Sequence, residues 1–459
     1  MENKDISRRD FLRKASEGAV ALGGAALVGS CASPSSPDGA SSTKSASVNE
    51  GMEYRTNNHN GDKVSLLGYG CMRWQMKKDK DGKDIVDQDS VNELVDRALE
   101  GGVNYFDTSP AYLQGQSEKA AGIALSRHPR KSYFLATKLS NFSNFSEEAS
   151  LKMYRNSFVQ MQTDYFDYYL LHALGGGGYP QFVRRYEDNG LMDFLLKERE
   201  AGRIRQLGFS FHGNQESFDQ FIALHDKYHW DFVQIQMNYV DWRHADGIRN
   251  VNAEYLYEEL DKREIPIVVM EPLQGGRLSR VPEGIAAMMK GRDPERSIAS
   301  WAFRFVGSYP RILTALSGMT YMEHLRENLD TFTGFVPLSK DDLEFLEEMA
   351  TLMQEYPTVN CNDCKYCMPC PYGIDIPGIF RHYNDLVNEG KVAQKGTEKY
   401  RKLRREYLLS YNRAIPTLRQ ADHCIGCRHC VPECPQSIDI PSELHRIDSY
   451  VESLRRDTK

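Results

Sequence analysis

Eight of the chain's ten cysteines fall in its last hundred residues, in two runs. Cys361, Cys364, Cys367 and Cys370 are spaced CxxCxxCxxCP, with Pro371 after the last. Cys424, Cys427, Cys430 and Cys434 follow as CxxCxxCxxxCP, with Pro435 after the last. Three thiolates at every third position of a tight loop can wrap one face of an iron–sulfur cubane, while a fourth set before proline points elsewhere. Zinc usually takes two CxxC pairs separated by a loop, so triplet-spaced runs suit it poorly. A disulfide scaffold would be short and cysteine-dense throughout, whereas the long body between Cys31 and Cys361 holds only Cys71. The cysteines therefore read as iron–sulfur ligands.

A second set of reactive types lies at the ends of β-rich runs. One run ends at Asp107, with Tyr112 in the loop beyond it; the next three end at Lys138, His172 and Ser210. The elements that must carry them alternate. Strand candidates are VSLLGYG from Val64, VNYFD from Val103, YFLATK from Tyr133, FDYYLLH from Phe166, IRQLGFS from Ile204, DFVQIQMN from Asp231, PIVVME from Pro266 and RILTALS from Arg311. Amphipathic helical runs separate them, at 91–100, 118–126, 146–161, 191–201, 215–228, 253–262 and 294–305. Eight strands and seven helical runs match an α/β (β/α)8 TIM barrel, whose reactive groups project from the C-terminal ends of the strands. A doubly wound sheet would want a glycine fingerprint, and Gly68 and Gly70 do not extend to GxGxxG before a helix. Cys71, just past the first strand, has no base beside it in sequence and reads as a small buried thiol.

The stretch GVNYFDTSPAY from Gly102, GQSE from Gly115, ATK ending at Lys138 and LLH ending at His172 resemble the aldo/keto reductases. The resemblance implies a catalytic tetrad of Asp107, Tyr112, Lys138 and His172. In it Tyr112 is the general acid, Lys138 lowers the tyrosine pKa, Asp107 holds Lys138, and His172 orients the carbonyl. It also implies a nicotinamide dinucleotide, NAD or NADP. Ser210 and Gln234 match the carboxamide contacts, and Met270, in MEPL, stands where the family often places a stacking ring in YSPL. In SGMTYMEHLRENLD from Ser317, Glu327 and Asn328 fit the adenosine-binding pattern, while Gly318 and His324 occupy the positions of the lysine and arginine that meet a 2′-phosphate.

The cysteine runs resemble bacterial two-cluster ferredoxins, in which the fourth cysteine of each run serves the other cluster. The resemblance implies two 4Fe-4S clusters, one on Cys361, Cys364, Cys367 and Cys434, the other on Cys424, Cys427, Cys430 and Cys370. The repeated IDIP after each run is consistent with a pseudo-twofold ferredoxin-like module. A nicotinamide hydride moves two electrons and a cluster accepts one, so direct coupling would call for a flavin or a similar carrier, and no flavin motif is visible.

The 41% hydrophobic and 26% charged composition suits a globular protein, and the formal charge of −7 provides no molecule-wide field for nucleic acid. SRRDFLR from Ser7, followed by a weakly apolar stretch too short to span a bilayer, resembles a twin-arginine signal. VGSC ending at Cys31 resembles a lipoprotein cleavage box, and the Ser-rich run after it suits a tether. The expected plan is a signal peptide over 1–31, a tether over 32–60, the barrel over 61–336, a linking helix over 337–356 opened by Ser339 and Asp342, and the iron–sulfur domain over 357–459. The expected protein is exported, facing the periplasm or exterior, with membrane contact only through a lipid on Cys31. Its expected activity is oxidoreduction of a small carbonyl or alcohol, with a protein redox partner fed through the clusters. The alternative is an electron-transfer or scaffold subunit whose barrel has lost turnover.

Overall fold

The computed structural model describes residues 49, 51–245 and 250–457, so the Ser7–Arg13 segment and Cys31 lie outside the described residues. The chain opens with an antiparallel hairpin, β1 (Tyr54–Thr56) and β2 (Lys63–Ser65), ahead of the first barrel strand, β3 (Leu67–Gly70). The β-rich run from Val64 is thus split. Ser65 turns its backbone N–H to the buried Asn104 side chain, and its hydroxyl receives the Asn104 N–H, which ends the pairing of β2 and lets β3 start afresh. A second hairpin, β4 (Met76–Lys78) and β5 (Asp84–Val86), follows in the loop after β3.

The remaining strands are β6 (Tyr105–Asp107), β7 (Phe134–Leu139), β8 (Phe166–Leu174), β9 (Ile204–Phe211), β10 (Phe232–Gln236), β11 (Ile267–Met270) and β12 (Ile312–Ser317). With β3 they close an all-parallel eight-stranded barrel, β12 pairing back to β3. Inward-facing Tyr105, Phe134, Tyr168, Leu170, Phe232 and Val268 fill its interior, with Tyr105–Tyr168 and Tyr168–Phe232 ring centroids 5.0 Å apart. The filled interior leaves polar strand ends only the C-terminal rim to open onto.

The seven expected helices all form, with shifted ends. The one expected from Pro294 starts at Ile298, because Ser297 accepts the Ser300 N–H and caps it there. Three further helical segments of the barrel region fall outside those seven, Gly178–Glu187, Glu283–Arg292 and Met322–Phe332: the first follows a glycine run at 175–178, glycines sit near both ends of the second, and the third carries the residues matched to adenosine contacts. Helix Lys340–Met353 opens with a complete capping box of Ser339 and Asp342, as expected.

The C-terminal module has its own core, built from helices Ile376–Asn388, Tyr400–Ala414 and Ile440–Arg456. Both IDIP copies sit at helix starts. Asp375 and Asp439 are the N-caps, and Pro377 and Pro441 fall in the first turns, where a missing N–H costs nothing. No helix among the described residues is long and apolar enough to cross a membrane.

Candidate active site

Strand register brings the polar ends together. Asp107 lies opposite Gly70 on one side and Ala136 on the other, Lys138 is the last residue but one of β7, and His172 stands two residues before the end of β8. All three are buried, as is Tyr112. Tyr112 starts a tight turn in which Leu113 and Gln114 both take left-handed φ, of 50° and 55°; such strain in non-glycine residues marks a side chain held in place.

The Lys138 ammonium donates to Asp107 Oδ1 and, at 3.0 Å, to the Thr108 carbonyl, while Gln234 Nε2 donates to Asp107 Oδ2 at 3.3 Å. Lys138 Nζ lies 5.2 Å from the Tyr112 ring centre, and the His172 ring meets Tyr112 edge-on at 5.8 Å. The four groups therefore converge.

One detail differs from expectation. Lys138 spends its donors on Asp107 and Thr108 and makes no hydrogen bond to the phenol, because a buried carboxylate is the stronger partner. Burial, then Asp107 and Tyr366, hold the Tyr112 pKa well above its ordinary value, so the residue is a neutral phenol. Burial, with the Lys138 and Arg185 charges, holds His172 well below the usual imidazole range. Its Nδ1 is fixed by Ser140 Oγ at 2.6 Å and Ser109 Oγ at 3.2 Å, and Arg185 donates to its carbonyl at 2.9 Å. Ser140 was missed in the sequence, although it lies two residues beyond Lys138, at the spacing that returns to the same face of a strand. Cys71 is fully buried, and burial raises its pKa well above the ordinary thiol value.

The residues matched to dinucleotide contacts form two groups. Ser210, whose hydroxyl accepts the Ala173 N–H at 2.8 Å, Gln234 and Met270 lie at the barrel mouth. Beyond β12, Asn328 is buried and donates to Ser317 Oγ at 2.9 Å, whereas Gly318, His324 and Glu327 are exposed.

In the C-terminal module one cavity is lined by Cys361, Cys364, Cys367 and Cys434, with Ile376, Phe380 and Ile438 around them. Burial raises the Cys361 and Cys364 thiols to about 11 and 12, and Cys434 adds to both. Burial raises Cys430 to about 11, with Cys424, Cys370 and Cys427 adding. The fourth cysteine of each run thus neighbours the other run. No described cysteine is in a disulfide, and among the described residues no three Cys, His, Asp or Glu side chains converge as ligands of a single ion would.

The module is docked on the barrel mouth through contacts no sequence pattern announced. Arg73 donates to the Asn362 carbonyl at 2.5 Å and to that of Asp363 at 3.0 Å. Glu271, directly after Met270, accepts from Asn362 Nδ2 at 2.5 Å and from Gln436 Nε2 at 2.9 Å; burial pushes its carboxyl up to about 7. Gln436 and Gln236 exchange amide hydrogen bonds at 3.0 and 3.3 Å.

Comparisons agree with both halves. Residues 360–439 match the 4Fe-4S dicluster domain. L-Galactose dehydrogenase of Arabidopsis thaliana is 25% identical over 321 residues, 66% of this chain and 95% of that protein. The protein Tas of Escherichia coli is 24% identical over 64% of this chain and 97% of its own. Among solved structures, an aldo-keto reductase of Klebsiella pneumoniae in complex with NADPH superposes with a TM-score of 0.52 at 22% identity, covering 65% of this chain and 96% of that one. A holo aldo-keto reductase of Bacillus halodurans gives 0.52 at 21%, with the same coverages. Residues 66–351 match the aldo/keto reductase family, and with the closed barrel and its polar strand ends this chain belongs to that family of oxidoreductases.

Proposed function

We propose that the barrel interconverts a small carbonyl and its alcohol, with Tyr112 as general acid and base. The observation that carries this is the convergence of a neutral Tyr112 phenol, the Lys138–Asp107 ion pair and the edge of a neutral His172. A carbonyl that gains a hydride becomes an alkoxide, a far stronger base than a phenolate, so proton transfer from Tyr112 is downhill. The Lys138 charge beneath the ring stabilises the phenolate left behind. In the tautomer whose Nδ1 accepts from Ser140, Nε2–H of His172 would donate to the carbonyl oxygen and share its growing charge.

A nicotinamide dinucleotide, when bound, supplies or accepts the hydride. Ser210, Gln234 and Met270 would hold its nicotinamide end and Asn328 its adenosine end, and the Arg73–Asn362–Glu271 contacts lie between the two groups. The likeness to L-galactose dehydrogenase supports including sugar-derived substrates in the test. Under anaerobic conditions, reduction of an aldehyde, ketone and sugar-lactone panel is measured with NADH, NADPH and a reduced viologen as donors. Turnover with at least one donor is expected; its absence with all three, in a protein that exchanges electrons through its clusters, would favour the electron-transfer or scaffold reading.

We further propose that the crossed cysteine sets hold two 4Fe-4S clusters, which supply one-electron transfer. Four thiols lining one cavity, within a segment that matches the 4Fe-4S dicluster domain, support a polynuclear group. Anaerobic isolation should yield about eight iron atoms and eight acid-labile sulfides per chain. Cys370→Ser should perturb the paramagnetic signal of the Cys424, Cys427 and Cys430 cluster; a change confined to the other cluster would refute the crossing.

Export by the twin-arginine route, with lipid on Cys31, is proposed from the sequence of the N-terminal segment alone. Cell fractionation decides it: a chain found in the cytosolic fraction would contradict it.

A further inference from the structure

We infer that the cluster-ligand loop of the iron–sulfur module and a dinucleotide compete for the barrel mouth, with Arg73 and Glu271 as the latch that keeps the loop in place. The inference rests on the dinucleotide residues named above. Ser210, Gln234 and Met270 mark the nicotinamide end, and Gly318 with Asn328 marks the adenosine end. Met270 ends β11 and Gly318 follows β12, and these strands are neighbours in the barrel. A molecule joining the two groups must cross between their C-terminal ends.

That gap is bridged by protein. The Arg73 stem lies beside Gly318, where an added Cβ would stand 2.6 Å from Arg73 Cγ, so a larger residue at this position would push the stem aside. The guanidinium then holds the Asn362 and Asp363 carbonyls, and Asn362, only 4% exposed, reaches Glu271 on the far side of the gap. Gly275, in the loop after β11, is pressed so close that a Cβ would lie 2.0 Å from the Asn362 carbonyl oxygen. Asn362 and Asp363 stand between the ligands Cys361 and Cys364, so the bridge is the ligand loop itself. The loop thus lies between the two groups of matched residues, across the line a bound dinucleotide would follow. Occupancy of the path requires the module to lift away.

If the open form is a minor population, its fraction reduces the apparent dinucleotide affinity, and loosening the latch restores it. Binding of NADH and NADPH to the full-length, cluster-loaded chain is measured by equilibrium dialysis for the wild type, Arg73→Ala and Glu271→Ala, with iron content and thermal unfolding as controls for folding. Each variant should bind at least one dinucleotide about tenfold more tightly than the wild type. In the wild type, saturating dinucleotide should raise amide hydrogen exchange across residues 358–366. This exchange measurement decides the matter even where a variant fails to fold. Equal affinities with unchanged exchange would show that loop and dinucleotide coexist, overturning the competition while leaving the dinucleotide reading intact. Binding to none of the three proteins would overturn the dinucleotide placement and the competition with it.

Discussion

Tyr112→Phe should slow carbonyl reduction by about 10² to 10⁴, the usual contribution of a positioned acid, while iron content and thermal unfolding stay near wild type. The ring is retained, so the edge contact with His172 and the position over Lys138 survive and only the transferable proton is lost. The loss should appear in kcat and in kcat/KM together, because the proton moves only in the transition state. The pH profile gives a second check. Burial raises the phenol pKa, so the protonated form needed for reduction persists below that raised value and is lost only as pH climbs through it. Alcohol oxidation needs the phenolate and should therefore rise with pH. Steady-state kinetics in both directions test this; a Tyr112→Phe variant that reduces the substrate at the wild-type rate would eliminate the tyrosine as acid.

Lys138→Met should destabilise the barrel by about 3–5 kcal/mol, the cost of leaving one partner of a buried ion pair alone. Asp107 would keep only the long Gln234 bond at 3.3 Å, in a site where it is 2% exposed. Adding Asp107→Asn to Lys138→Met removes the stranded charge, so the double variant should recover most of the lost stability and none of the lost activity. Urea unfolding followed by tryptophan fluorescence suits the comparison, because Trp230 and Trp301 are buried in the barrel layer. An unchanged midpoint for the single variant would mean that Lys138 and Asp107 do not depend on one another in the fold. Activity lost with stability intact would assign Lys138 a role confined to chemistry.

What the sequence by itself determined is local. Alternating apolar runs specified all eight barrel strands, and 3.6-residue periodicity most of the helices, because each pattern reports which face of a short segment is buried. Asp107, Lys138 and His172 were legible as site residues because each ends a strand run, and parallel pairing carries all such ends to one rim. The cysteine runs were legible because their spacing places several donors on one loop. Only the tertiary structure decided which oxygen Lys138 contacts, since that is a competition between Asp107 and Tyr112 settled by burial and distance. It alone also decided where the iron–sulfur module sits. Arg73 and Asn362 are 289 residues apart and Glu271 and Asn362 are 91 apart, so no spacing rule connects them. Their union depends on Gly318 and Gly275 leaving space that only the packed domains reveal.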